Sequence, residues 1–212
     1  MSSKMVGLRI LFGLFFLVPM VLSGCSLFSS PPKEAKVEKP VLPPKTELKF
    51  DYLRPASMVK DPKIFVYKSK RRMYVFDGDT IVRDYPIGLG KNPQGDKERE
   101  GDGRTPEGMF YVCKKNERSK FYKSIGLSYP TLAHAEKALY NGLISVSDYK
   151  RIEDSLRRMD TPPWDTPLGG YIFIHGGGAH SDWTEGCIAL YNSDMDELFE
   201  MVRIGTPVYV YP

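Results

Sequence analysis

The sequence predicts a mainly β domain of two packed sheets carrying a few helices. Three observations predict it. Between residues 63 and 89, β-forming side chains alternate and cluster between turn signals. Two short apolar runs, 171–174 and 188–190, flank a glycine-rich loop. Helical periodicity is confined to residues 133–159 and to a stretch after Asn192.

The first 24 residues are read as a leader rather than fold. Lys4 and Arg9 supply positive charge, and Ile10 to Leu22 is an apolar run too short for a comfortable membrane span. The run ends in Leu22-Ser23-Gly24-Cys25, which resembles a bacterial lipobox with Cys25 as the lipid acceptor. An ordinary signal peptide or a disulfide cysteine is the plainer alternative. With Ser26 rather than Asp after Cys25, the expectation is a lipid-anchored protein on the periplasmic side of the envelope, at the outer rather than the inner membrane. Residues 25–49 are rich in Pro, Lys and Ser, cannot bury apolar area, and read as an extended tether. Residues 50–212 have the composition of one domain, long enough for a single core. The net charge is +4, and loss of Lys4 and Arg9 with the leader takes it to +2. That is too little to argue for nucleic acid, and no basic stripe with interleaved aromatics is visible.

Within the domain, 63–68, 71–76 and 80–89 predict a three-stranded antiparallel meander, turning at Ser69-Lys70 and Asp77-Gly78-Asp79. A charged loop, 94–103, leads through Arg104-Thr105-Pro106-Glu107-Gly108 to a strand at 109–114. Cys113 in that strand reads as a buried apolar filler, although it could pair with Cys187 in an oxidising compartment. Residues 120–129 predict a further strand, ended by Pro130. Ala135, Ala138 and Leu139 then share a helical face, stopped by Asn141-Gly142. Ser147 is expected to cap a second helix running to about Met159, with Tyr149, Ile152, Leu156 and Met159 on one face. This helical pair reads either as a lid over a cleft or as a packing element. Ser193 with Asp196 predicts a capping-box-like start to a last helix, Gly205 ends it, and 206–211 closes the fold as a strand.

The chemistry is concentrated in residues 171–190. His175 stands at the end of an apolar run, Gly176-Gly177-Gly178 follow, and Gly186-Cys187 opens the next run. An imidazole and a thiol at opposite ends of one loop suit nucleophilic catalysis: the ring takes the proton and the sulfur attacks. Gly186 lets a carbonyl approach the sulfur, and the N–H groups of Gly186 and Cys187 are candidates to hold the oxyanion. Cys187 is therefore expected to have a depressed pKa. His180, in the same loop, competes with His175 for the base; His134 falls in a predicted helix away from the motif. His175, His180, Asp182 and Cys187 fit no common zinc spacing, so no metal and no cofactor is expected.

Ile174-His175-Gly176 and Thr184-Glu185-Gly186-Cys187 resemble the catalytic signature of the L,D-transpeptidase (YkuD-type) family, and Gly101-Asp-Gly-Arg-Thr-Pro-Glu-Gly108 resembles its core turn. The resemblance covers roughly residues 60–212. It implies a β-sandwich of two mixed sheets with a helical insertion and a helix after the cysteine. It also implies peptidoglycan stem peptides as partners, in a chain expected to be monomeric. Cys187 is then the nucleophile and His175 its base, with Gly176 offering the ring only a backbone carbonyl. Thr184, Trp183, Glu185 and Arg104 are the expected substrate-binding residues, Glu185 for an ammonium group. The thioester formed at Cys187 would pass to an amine, giving a cross-link or attachment, or to water, as in a carboxypeptidase or amidase. A lipid-anchored, non-catalytic peptidoglycan tether is the alternative from another class. Glu185 before Gly186, and Ala189 where many members carry Arg, depart from the commoner pattern.

Overall fold

The computed structural model describes residues 47–212, so the expectations for the leader, for Cys25 and for most of the tether lie outside the described residues. The meander forms as expected: β2 (Pro62–Tyr67), β3 (Arg72–Asp77) and β4 (Thr80–Pro86) pair antiparallel. Alternation decides which side is core. Ile64, Val66, Met73 and Val75 are fully buried, while the side chains between them face outward. A short strand, β1 (Lys49–Phe50), adds parallel to β4 at the edge.

The strand predicted at 109–114 is longer, β5 (Gly108–Ser119). Its first half pairs with β9 (Pro207–Tyr211), which in turn lies parallel to β2. Its second half pairs with β6 (Tyr122–Leu127), and β6 continues to β7 (Phe173–His175) and β8 (Ile188–Ala189). The two expected sheets are present and both are mixed, but β5 belongs to both. Among the described residues the hydrogen-bonded order is therefore continuous, β1-β4-β3-β2-β9-β5-β6-β7-β8. The far ends then approach each other: Gly88, beyond β4, bridges to Ala189, and Gly90 bridges to Thr184. One core of side chains from both sheets and from α3 (Asn192–Met201) fills the enclosed space.

Helices α1 (Leu132–Tyr140) and α2 (Val146–Arg157) form the expected insertion between β6 and β7. They pack on each other around Ala135, Ala138, Ile144, Ile152 and Leu168, apart from the main core. Three local expectations need correction. The cap of α2 is Ser145, not Ser147, because Asp148 falls at the third helical position and closes a capping box with Ser145. Met159 is half exposed beyond the helix end, at φ 57°, and does not join the apolar face. Helix α3 starts after Tyr191 without a side-chain cap. Its Asn192 is instead turned to the glycine loop, where Oδ1 accepts from Gly177 N–H at 2.9 Å.

Candidate active site

The site lies at the β7–β8 edge, where the strands are too short to hold a loop by ladder bonds alone. Register pairs Ile174 with Ile188 and His175 with Ala189. Alternation along the chain then puts Cys187, one residue before Ile188, on the face that carries Ala189 and His175. The two candidate groups thus come from adjacent parallel strands and share a face.

His175 is 3% exposed. Phe121 stacks on its ring at 4.8 Å between centroids, and Trp183 meets it edge-on at 5.5 Å. The ring's Nδ1 lies 2.6 Å from the Gly176 carbonyl, the contact expected of that glycine. A carbonyl only accepts, so Nδ1 carries the proton and Nε2 has the free lone pair. Burial lowers the His175 pKa, and the Gly176 bond offsets this only in part.

Cys187 is half-buried and free, as is Cys113, so no disulfide joins them. Its thiol donates to the Tyr171 carbonyl and accepts from the Phe173 N–H, each at 3.4 Å. Burial pushes the Cys187 thiol up, against smaller lowering effects from the Phe173 N–H and the charge of Lys97. The expectation of a depressed thiol pKa is overturned. Nothing positive is paired with the sulfur closely enough to outweigh desolvation, so burial disfavours the charged form of both the thiol and the imidazole.

The loop between the two residues is held by polar clamps. Asp182 accepts from the guanidinium of Arg71 at 2.7–3.1 Å and from Leu89 N–H at 2.9 Å. Arg71 sits in the left-handed region, φ 51°, at the β2–β3 turn. Thr184 is 4% exposed, with its hydroxyl donating to Cys187 O at 2.7 Å and accepting from Gly186 N–H at 3.1 Å. Its role is therefore internal, and the Gly186 N–H is already satisfied rather than free for an oxyanion. No acceptor for the Cys187 N–H is found among the described residues. Gly186 has φ +134°, and a Cβ there would lie 2.7 Å from Arg104 O. No other residue fits that position.

The remaining expected binding residues separate. Trp183 walls the imidazole and donates from Nε1 to Gly178 O at 3.1 Å. Glu185 is exposed and paired with Lys91. Arg104 presses its carbonyl on Gly186, while its guanidinium lines a cavity of about 740 Å³ with Lys97, Asp102, His134 and Lys137. His180 is exposed and His134 is bound to Asp96 at 3.1 Å, so His175 is the histidine placed beside the thiol strand. Sequence reasoning did not find Phe121, Arg71 or Lys97. No local signal marks them, because each reaches the site from another element.

A mixed sheet folded around one core carries a thiol and an oriented imidazole on one face of its terminal strand pair, the pairing of groups that thiol-based acyl transfer uses. The profile of the YkuD L,D-transpeptidase catalytic domain matches residues 61–210, and the chain belongs to that family. Over 163 residues it is 27% identical to the Escherichia coli (strain K12) protein named "Putative L,D-transpeptidase YafK", covering 70% of this chain and 53% of that one. The chain thus spans about half the length of the curated relatives it matches. Among solved structures it is similar to the helical cell shape determining protein Pgp2 from Campylobacter jejuni, with 22% identity, TM-score 0.46, and coverage of 70% and 46% of the two chains. It is also similar to the L,D-transpeptidase from Xylanimonas cellulosilytica DSM 15894, with 15% identity, TM-score 0.42, and coverage of 72% and 61%.

Proposed function

We propose that this chain is a cysteine L,D-transpeptidase acting on peptidoglycan stem peptides, with Cys187 as nucleophile and His175 as general base. The observation that carries the reading is the oriented ring: Gly176 O takes the Nδ1 proton, leaving Nε2 as a base on the face that bears Cys187. Because burial disfavours charge on both thiol and imidazole, the proton leaves sulfur as the sulfur attacks, rather than from a preformed ion pair. Closing the Sγ–Nε2 hydrogen bond is the adjustment this asks of the resting arrangement. The sulfur adds to the carbonyl at the L-centre, and the Cys187 N–H faces the oxyanion. His175 then gives its proton to the departing D-residue, leaving a thioester. An amine of a second stem takes the acyl group, with Arg104 and Trp183 along the approach. Transfer to water, giving a carboxypeptidase, uses the same residues. Cys25 is read as a lipid anchor on the periplasmic face of the outer membrane, with 25–49 as tether and 50–212 as the catalytic domain.

The test is incubation of the full chain with a disaccharide-tetrapeptide, following D-alanine release, dimer formation and the mass of Cys187. Cys187→Ala abolishes turnover, and His175→Ala lowers it by roughly 10²–10⁴. D-alanine without dimers moves the acceptor to water. Full activity in Cys187→Ala removes Cys187 as the nucleophile, and sacculus binding with no product from any stem replaces the enzyme with a tether. Loss of fatty-acid label in Cys25→Ala checks the anchor.

A further inference from the structure

The His175 ring is tied by one hydrogen bond, and its partner is the carbonyl of the next residue, Gly176. Gly177 and Gly178 follow at φ 107° and 110°, backbone conformations that glycine enters freely and other residues rarely. That bond fixes where the Nδ1 proton sits, but one bond does not fix the tilt of the ring plane. Two aromatic rings do. Phe121 lies at 25° to the imidazole with 4.8 Å between centroids, and Trp183 meets both rings, at 68° to the imidazole and 67° to Phe121. Trp183 is itself held through Nε1 by Gly178 O. The imidazole is thus closed in by one stacked and one edge-on ring.

Lys120 and Phe121 form the turn between β5 and β6. Phe121 is 38% exposed and belongs to neither apolar cluster, so core burial does not account for a phenyl ring there. The turn is held from several sides. Phe121 N–H donates to Ser119 Oγ at 3.2 Å. Tyr122 adopts φ 76°, which bulky side chains rarely take, and its hydroxyl donates to Asp196 on α3 at 2.7 Å. Gly176 N–H donates to Lys123 O at 3.2 Å, and a Cβ on Gly176 would lie 3.0 Å from the Tyr122 Cβ and 3.1 Å from Phe121 O. The turn therefore rests on the glycine whose carbonyl orients the ring. The charged groups of the surrounding elements have other partners: Lys123 of β6 pairs with Asp196 of α3, and Asp182 of the loop pairs with Arg71. Lys120 sets its ammonium 5.7 Å from the Phe121 ring centroid, and β7 and β8 carry no titratable side chain besides His175.

We propose that Phe121 is a positioning residue: stacked on His175 from the β5–β6 turn, it sets the plane in which Nε2 faces the thiol strand and keeps water off one face of the ring. The inference deepens the reading of His175 as general base and rests on it. Burial is the main cause of the lowered His175 pKa, and the phenyl ring over the imidazole is part of that burial. Removing the phenyl returns water to that face, which favours the charged imidazole. The pKa then moves up toward 6.5, and the acid limb of kcat/KM moves up with it. A ring free to tilt also meets the sulfur less often in line. That loss falls on kcat rather than KM, because Phe121 acts through His175 and not on the peptide.

The test pairs turnover of a disaccharide-tetrapeptide with an NMR titration of the full chain carrying isotope-labelled histidine, in which His175→Ala identifies the His175 signal among the three. In the natural chain the His175 ring protons lie upfield, shielded by the phenyl ring, and the imidazole titrates below 6.5. Phe121→Ala removes the upfield shift and raises the midpoint toward 6.5. It lowers kcat about tenfold on the alkaline side of the limb, with KM changed less than about twofold. Phe121→Tyr, which keeps a flat ring, restores all of these. Phe121→Leu, apolar but without a flat face, keeps the low midpoint and loses kcat. A midpoint or a kcat unchanged in Phe121→Ala overturns the proposal, as does a kcat in Phe121→Leu equal to that in Phe121→Tyr. A change shared by all three histidines marks a general loss of structure and overturns it too. If the natural chain turns over no peptide while the His175 titration moves as stated, Phe121 still positions the ring and the transpeptidase reading falls. If the natural chain turns over peptide and Phe121→Ala alters neither titration nor kcat, the reverse holds.

Discussion

The β2–β3–β4 meander and the β7–β8 edge are held together in different ways. In the meander, Ile64, Val66, Met73, Val75 and Val82 are all fully buried, and strands of six and seven residues pair along most of their length. At the β7–β8 edge the strands are three and two residues long. There the chain is fixed by Asp182 on Arg71, Thr184 under Cys187, Thr105 on Gly90 N–H, and the buried Lys97–Asp102 pair. One region is stabilised by apolar area, which tolerates repacking. The other relies on hydrogen bonds with fixed directions, which hold atoms in place but fail when one partner goes.

Two substitutions of similar cost separate these modes. Ile64→Ala removes a fully buried side chain and costs about 2–5 kcal/mol. Lys97→Ala strands Asp102, whose side chain is only 10% exposed, and costs about 3–5 kcal/mol. Chemical denaturation checks both. The sharper readout is turnover per folded molecule: Ile64→Ala leaves it near the original, while Lys97→Ala lowers it, because Asp102 also receives the N–H groups of Glu98, Arg99 and Arg104 that shape the loop against Gly186. Equal turnover in the two variants removes the distinction. The pair also differs with pH. Burial raises the Asp102 pKa, but Lys97 and the three N–H groups outweigh it, leaving it below its usual value. A group lowered in the folded state contributes stability above its unfolded pKa and loses it as pH falls. The Lys97-dependent share of stability is therefore present at neutral pH and disappears below about pH 4, whereas the cost of Ile64→Ala barely changes across that range.

The same contrast governs what the sequence made legible. Strand positions in the meander follow from period-two alternation and two turn signals. Cys187, His175 and the contact of Gly176 with the ring follow from one local motif. Phe121, Arg71 and Lys97 do not, since they reach the thiol loop across 54, 111 and 90 positions of chain and no pattern within a window registers that. The depressed thiol pKa failed for a related reason: a motif shows which groups are neighbours, but the sign of a shift depends on how much solvent the fold removes. Glu185 has the right charge, but Lys91 folds onto it from the opposite end of the sheet order.

The proposed catalytic pair, Cys187 and His175, offers an intermediate effect. His175 acts as base only when neutral, and its pKa lies below the ordinary 6.5 because the ring is buried. As pH falls through that lowered pKa, the ring protonates and rate is lost, so kcat/KM rises with pH along an acid limb centred below 6.5. Alkylation of Cys187 by iodoacetamide has its midpoint above that of an ordinary thiol, 9.0. An acid limb above 6.5, together with rapid alkylation at neutral pH, would restore the ion-pair picture that the motif alone suggests.

The smallest expected effect lies at Glu185, inside the signature itself. Its carboxylate is paired with Lys91, and the side chains are 71% and 60% exposed. Exposed pairs of this kind contribute less than about 1 kcal/mol and are screened by salt. Glu185→Gln keeps the side-chain length, leaves the Thr184 hydroxyl on Cys187 O, and leaves the Gly186 N–H on Thr184. The expected change is under about 0.5 kcal/mol in stability and under threefold in kcat/KM for peptides with an ammonium side chain. A loss of tenfold or more in Glu185→Gln would mean that Lys91 releases Glu185 on substrate binding. The motif's own carboxylate would then be the one that reads the substrate, and clamp and recognition would share a residue that the resting structure keeps apart.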